Sequence, residues 1–216
     1  RWPTATRGPV GRVSEVLGGI DEPGVDTQII IRKFGIPDAH SPESVEEARH
    51  IGTTVKDKDI RGRTDFRPVT TVTIDGEHAR DFDDAITLER LPNGHYWLGV
   101  HIADVAHYVE EGGALDREAY ERATSVYFPE RAVHMFPSEL STGLCSLNPH
   151  VDRLVMVCEM NISKTGAISR YSFYEAVMNS HARLTYNKVA AMLDGDSEEG
   201  EALRREHAEL VKPLKN

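Results

Sequence analysis

Apolar residues recur at every second position in some stretches of the chain and at every third or fourth in others, and the switches of period mark its elements. From residue 9 to residue 33, "PVGRVSEVLG", a Gly/Pro-rich turn at "GIDEPG" and "VDTQIIIRKFGIP" read as two strands joined by a turn. Two strands make only a marginal unit, so this stretch reads as the end of a small β domain. "SPESVEEARHIG" reads as a short helix: Ser41 caps it, Pro42 fits the first helical position, Glu43 suits the N-terminal dipole and Gly52 the stop. The charged segment from Thr53 to Arg67 has weak periodicity and is expected to connect two domains.

From Pro68 onward strands dominate. "VTTVTI" runs into an acidic stretch, and "AITLERL" and "HYWLGVHIADVAHYV" form a hairpin about Asn93-Gly94, with Tyr96, Leu98, Val100 and Ile102 on one face. A helix is expected over "ALDREAYERAT". "RLVMVCEMNIS" and "ISRYSFYEAVMN" flank a Lys-Thr-Gly turn as a second hairpin. Thr185 reads as the cap of a helix, "YNKVAAMLDG", that Gly195 ends. The charged remainder is helical in flavour.

Composition narrows the functional classes. With 216 residues the chain suits one large domain, or one domain with a piece of another. It begins at Arg1 rather than Met, so a piece of a longer protein is expected. No apolar run approaches 18 residues and no signal peptide is visible, so a cytoplasmic protein with no membrane association is expected. Cys145 and Cys158 match no metal or redox spacing and sit among apolar residues, as buried reduced thiols do. The ten histidines hold no zinc motif. A net charge of −10 argues against a lysine-coated nonspecific nucleic-acid binder. It leaves nucleic acid open as a substrate, because divalent cations held by acids invert the local field.

The densest chemistry lies in "DGEHARDFDD", where Asp75, Asp81, Asp83, Asp84 and Glu77 face a single arginine. Gly76 permits a sharp turn after Asp75. Asp81 and Asp83 would share one face of an extended segment and Asp84 the other, so a bend is needed for all four to converge. Converged carboxylates repel one another, and cations relieve that repulsion. Calcium-loop spacing fails from either Asp75 or Asp81. Mg²⁺ or Mn²⁺ fits better, as one ion or as two about 3.5–4 Å apart clamping the attacking water and the leaving oxygen of a phosphodiester. Charge alone leaves a solvated acidic loop open. The interleaved Ala79, Phe82, Ala85 and Ile86 favour an ordered element.

"TIDGEHARDFDDAITL" resembles the acidic motif of the RNB family, the ribonuclease II and ribonuclease R exoribonucleases. The likeness continues through "GVHIADVAHYV", "LDREAYERATSVYFPERAVHMFPSELSTGLCSLNP", "VDRLVMVCEM" and "FYEAVMNSHARLTYNKV", with phrasing nearest the bacterial ribonuclease R branch. It implies three regions: residues 1–37 as the tail of a cold-shock-like β-barrel OB domain, 38–67 as a helical linker, and 68–216 as the first part of a mixed α+β catalytic domain. Asp75, Asp81, Asp83 and Asp84 match the family's catalytic aspartates and would bind Mg²⁺ directly or through water, Asp83 being the most critical. Tyr127 in "TSVYFP" matches an aromatic that stacks near the RNA 3′ end, and Tyr186 in "RLTYNKV" another tyrosine lining the RNA path. Stacking suits an enzyme indifferent to sequence, since every base has a π face.

The implied activity is processive 3′-to-5′ hydrolysis of single-stranded RNA to nucleoside 5′-monophosphates by a cytoplasmic monomer. His78 departs from the pattern, standing where many relatives carry another acid, and is expected to modulate the site's charge. The family's later catalytic-site arginine and glutamate and its S1 domain have no counterpart here, so these 216 residues by themselves are expected to be weak or inactive. Rival readings are a noncatalytic RNA- or protein-binding module and a metal-dependent endoribonuclease. Arg61, Arg63 and Arg67 read as solvated, Asp104 as a turn cap, and His101 and His181 as structural histidines.

Overall fold

The computed structural model describes residues 5–6, 8, 10–194, 197–208, 211 and 214. Its centre is a seven-stranded sheet. The strands are β1 (Thr64–Asp65), β2 (Val72–Asp75), β3 (Asp84–Arg90), β4 (Tyr96–Ala103), β7 (Asp152–Ile162), β8 (Ile168–Asn179) and β9 (Ala182–Thr185). They lie in the order β1-β8-β7-β4-β3-β2-β9. The pairings from β8 through β2 are antiparallel, whereas β1 on β8 and β9 on β2 are parallel. A separate hairpin, β5 (Val126–Tyr127) with β6 (Ala132–Val133), stands off the sheet.

Both expected hairpins form. β3 meets β4 through a turn in which Gly94 takes φ +78°, and β7 meets β8 through a turn with Gly166 at φ +83°. On β4 the core takes Gly99, His101 and Ala103, while Ile102, on the apolar face of the sequence pattern, is 47% exposed. The reason is chemical fit: His101 is fully buried, bonded at 3.0 Å through Nε2 to Thr87 Oγ1 and packed edge-on against Phe66. Burial pushes its pKa down to about 4, so it stays neutral and structural.

The helices follow their caps. Helix α2 (Pro42–Ile51) starts where Ser41 Oγ accepts the Ser44 N–H at 3.2 Å, and α5 (Tyr186–Asp194) starts where Thr185 Oγ1 accepts the Lys188 N–H. Gly195, read as the stop of α5, lies outside the described residues. Helix α4 (Ala114–Arg122) has no cap of its own, and Glu47 on α2 accepts its Ala114 N–H at 2.6 Å. Helix α6 (Glu198–Glu206) packs with α5 over a second, smaller core of Val72, Leu184, Met192 and Leu203. The main core lies on the other side of the sheet, around Phe66, Phe82, Ala85, Leu115, Leu140, Leu144, Leu147 and Val155.

Three expectations give way. The strands read over residues 9–33 are not formed: the described residues from 10 to 24 hold none, and Val25–Phe34 is helix α1, closed by Gly35 at φ +65° donating to Arg32 and Ile31 carbonyls. A strand needs a neighbour for its backbone groups whereas a helix bonds its own, and Asp26, Arg32 and Lys33 complement the helix dipole. Only Ile31 of the Ile29-Ile30-Ile31 run is fully buried. The segment from Thr53 to Arg67 is folded, and Arg63 within it is not the solvated side chain expected. The segment forms α3 (Asp57–Ile60) and β1, and Arg63, only 4% exposed, pairs with Asp104 at 2.7 Å. Asp104 is thus an ion-pair partner, and its side chain makes no cap bond. Among the described residues no helix is long and apolar enough to cross a membrane.

Candidate metal and nucleic-acid site

The acidic stretch lies at one end of the sheet. Strand β2 delivers Asp75 at its last residue, the chain turns through Gly76–Asp83, and β3 begins at Asp84. The bend required for convergence is therefore present. The carboxylates feel one another: the Asp75 pKa rises to about 6, first through burial, then through Asp84, with smaller contributions from Asp81 and Asp83 and an opposing one from Arg183. Asp75 Oδ2 is buried without a hydrogen-bond partner. Asp83 is also raised, by the protein crowded around its carboxyl although the residue keeps an exposed surface, and then by Asp81 and Asp84. Among the described residues no three His, Cys, Asp or Glu side chains converge into a ready-made chelate. The donor set suits a hard ion held by one or two carboxylates and completed by water and phosphate oxygens.

The acidic turn borders a cleft of about 1160 Å³, lined by Asp81, His78 and Phe82 on one side and by Tyr127, Arg131 and His134 on the other. Hairpin β5–β6 supplies the second wall, pairing Tyr127 with Ala132. Tyr127 donates its hydroxyl to Asp81 Oδ2, and its ring, part of a residue 63% exposed, stands edge-on to His134 with 6.4 Å between centroids. Burial of the hydroxyl and then the Asp81 bond push the Tyr127 pKa up to about 12. His134 Nδ1 lies 3.6 Å from the same Asp81 oxygen. Tyr186 is not among the cleft-lining residues. It follows Thr185, which pairs in register with Asp75, so it stands at the same end of the sheet and is 65% exposed.

Sequence reasoning did not single out His134, Arg183, Ser146 or Arg153. Arg183 donates to the carbonyls of Gly76 and Glu77 at 2.9 and 2.6 Å, and its guanidinium lies 5.5 Å from the Phe82 ring centroid. Its position in "HARLTY" carried no spacing signal, because the contact spans 107 residues. His181 accepts the Thr71 N–H through Nδ1 at 3.2 Å, a structural role.

Comparison with known proteins identifies the family and the fold. The RNB domain family matches residues 63–216 and the cold shock domain family matches residues 1–41. Ribonuclease R of Vibrio parahaemolyticus is 53% identical over 210 residues, 97% of this chain and 25% of that protein. The structure of Mycoplasma genitalium RNase R in complex with ribose methylated single-stranded RNA superposes with a TM-score of 0.78 at 31% identity, over 88% of this chain and 30% of that one. The complex of the same protein with double-stranded RNA gives a TM-score of 0.79 at 31% identity, over 93% and 36%. The chain spans about a quarter of the length of the curated relatives it matches.

Proposed function

The chain belongs to the RNB family, and from that premise we propose that it carries the cation-holding and 3′-end-holding wall of a 3′-to-5′ exoribonuclease of the ribonuclease R type. Residues 1–37 are the tail of the cold-shock-like domain, 38–67 a helical linker packed on the core, and 68–216 the first part of the catalytic domain. The parent protein hydrolyses single-stranded RNA processively, as a cytoplasmic monomer. In each cycle a water oxygen bonds to the last phosphorus, the bond from phosphorus to the preceding 3′ oxygen breaks, and that oxygen takes up a proton. A nucleoside 5′-monophosphate leaves.

The observation that carries this reading is that Asp75 and Asp83 are each raised, first by burial and then by neighbouring aspartates, while Asp81 lines the cleft walled by Tyr127. A chain gains nothing in stability from carboxylates that raise one another, so their presence together points to a cation. Asp75, Asp81, Asp83 and Asp84 are the residues that would hold one or two Mg²⁺ or Mn²⁺ ions. A bound divalent ion supplies charge for the scissile phosphate and a more acidic water. Asp75 contributes a partnerless Oδ2 and Asp83 a half-buried carboxylate to that position. Tyr127 offers a ring face to the terminal base, Tyr186 flanks the path, and Arg183 holds the turn from behind. The single-stranded RNA complex of the Mycoplasma relative supports the choice of substrate.

The test is a 5′-labelled single-stranded RNA incubated with Mg²⁺ and the longer protein carrying this segment, beside its Asp83→Asn variant. Stepwise shortening from the 3′ end, lost in the variant, is the expected result. Internal cuts would assign an endoribonuclease, and tight binding without cleavage a noncatalytic module. These 216 residues by themselves are expected to cleave weakly or not at all.

A further inference from the structure

The turn from Gly76 to Asp83 bears Asp81 and Asp83, yet it is neither helix nor strand, so something outside it must fix their spacing. Arg183 secures its first half through the Gly76 and Glu77 carbonyls. Its second half is secured by Ser146, which is fully buried. Ser146 Oγ accepts the Phe82 N–H at 3.0 Å and donates to the Arg80 carbonyl at 2.9 Å. Next to it, the Leu147 N–H donates to the Phe82 carbonyl at 2.8 Å. One hydroxyl thus serves as donor and acceptor to the same turn, a pairing that alanine cannot make.

Ser146 is itself held. Arg153, 7% exposed, donates through Nε to the Ser146 carbonyl at 2.7 Å, through Nη2 to the Gly143 carbonyl at 3.0 Å and through Nη1 to the Asp152 carbonyl at 2.9 Å. The Gly143 carbonyl is presented by a π-helical turn, Glu139–Leu144, which breaks helical geometry at Gly143. A Cβ there would lie 3.2 Å from the Ser138 carbonyl oxygen. Such turns occur frequently at functional sites. Phe82 sits between Asp81 and Asp83, so displacing its peptide moves both carboxylates at once.

Resting on the reading of the site as a cation site, we infer that Ser146 and Arg153 are positioning residues for it: a buried latch that sets the spacing of Asp81 and Asp83 without touching ion or RNA. Partners that orient ligating side chains commonly change metal affinity about 10–100-fold when removed. The latch is read by Mn²⁺ binding to the longer protein carrying this segment, followed by electron paramagnetic resonance of the free and bound ion. Comparison is with Ser146→Ala, Arg153→Lys and, as a control, Leu203→Ala, which opens a cavity in the second core.

Ser146→Ala is expected to weaken Mn²⁺ binding about 10-fold or more and to broaden the bound-ion spectrum. Arg153→Lys, which keeps the charge but not the three-carbonyl fork, falls between Ser146→Ala and the parent. Leu203→Ala binds as the parent does, although it too is destabilised. Were Ser146→Ala to fail to fold, Arg153→Lys decides on the same scale. A chain with no Mn²⁺ binding at all would overturn the cation reading itself. A chain that binds Mn²⁺, with Ser146→Ala and Arg153→Lys equal to it, or with Leu203→Ala impaired as much as they are, would overturn the latch alone.

Discussion

Replacing Asp75 by asparagine should stabilise the ion-free protein, an unusual outcome for a proposed active-site residue. In the folded chain the Asp75 pKa rises from 3.8 to about 6, through burial first and the neighbouring aspartates after it. A carboxyl with a raised folded pKa favours the native state below its unfolded value, and that support is lost as pH rises through about 6. At roughly 1.4 kcal/mol per unit the elevation is worth at most about 3 kcal/mol. Solvent screening of a partly exposed carboxyl reduces it to about 1.5 kcal/mol. The asparagine amide has no charge to desolvate, so with EDTA at pH 8 the Asp75→Asn chain should melt roughly 3–6 °C higher by calorimetry. At pH 4 the aspartate is already largely protonated and the two midpoints should coincide. Adding Mg²⁺ at about a hundred times its dissociation constant should stabilise the parent by about 2.7 kcal/mol and invert the order at pH 8. A gain of equal size at pH 4 and pH 8, or none at pH 8, would refute the charge-repulsion argument.

Tyr127→Ala should weaken binding of a short single-stranded RNA by about 1–3 kcal/mol in fluorescence anisotropy, while Tyr127→Phe stays close to the parent because the π face remains. Asp104→Asn should cost about 3 kcal/mol in urea unfolding by leaving the 4%-exposed Arg63 without its closest carboxylate. Adding Arg63→Met should recover most of that loss. His101, its folded pKa lowered to about 4 by burial, contributes stability that is present above its unfolded value of 6.5 and lost as pH falls toward 4. His101→Gln should therefore flatten the acid limb of the stability profile between pH 6.5 and 4, whatever its midpoint.

Local grammar carried much of the fold. The Asn93-Gly94 and Lys-Thr-Gly turns, the Ser41 and Thr185 caps and the β7–β8 hairpin all form as their residues suggest. Those signals span a few residues and are fixed by backbone chemistry. The acidic turn was legible for the same reason, since all four aspartates fall within ten positions. Whatever depends on distant partners was not legible. Arg63 looked solvated among charges because Asp104, 41 residues on, is what buries it. Ser146 lies 64 and 66 residues from its two partners in the turn it steadies, and a buried serine leaves no mark in a hydropathy pattern. Helix α1 read as strand because Ile29-Ile30-Ile31 is β-branched, and the αL stop at Gly35 carried no weight in that reading. The core face of β4 reversed because the pattern weighed Ile102 above the small and aromatic residues that the interior could accept.

The central claim is the location of the cation, and iron-mediated backbone cleavage reads location directly. With Fe²⁺ in place of Mg²⁺, ascorbate and peroxide cut the chain nearest the bound ion. A cation held by the acidic turn directs cuts between Asp75 and Asp84, with weaker ones near Tyr127, all suppressed by excess Mg²⁺ and missing in Asp83→Asn. Cleavage elsewhere, or a pattern unchanged by Mg²⁺ and by that substitution, would contradict the claim.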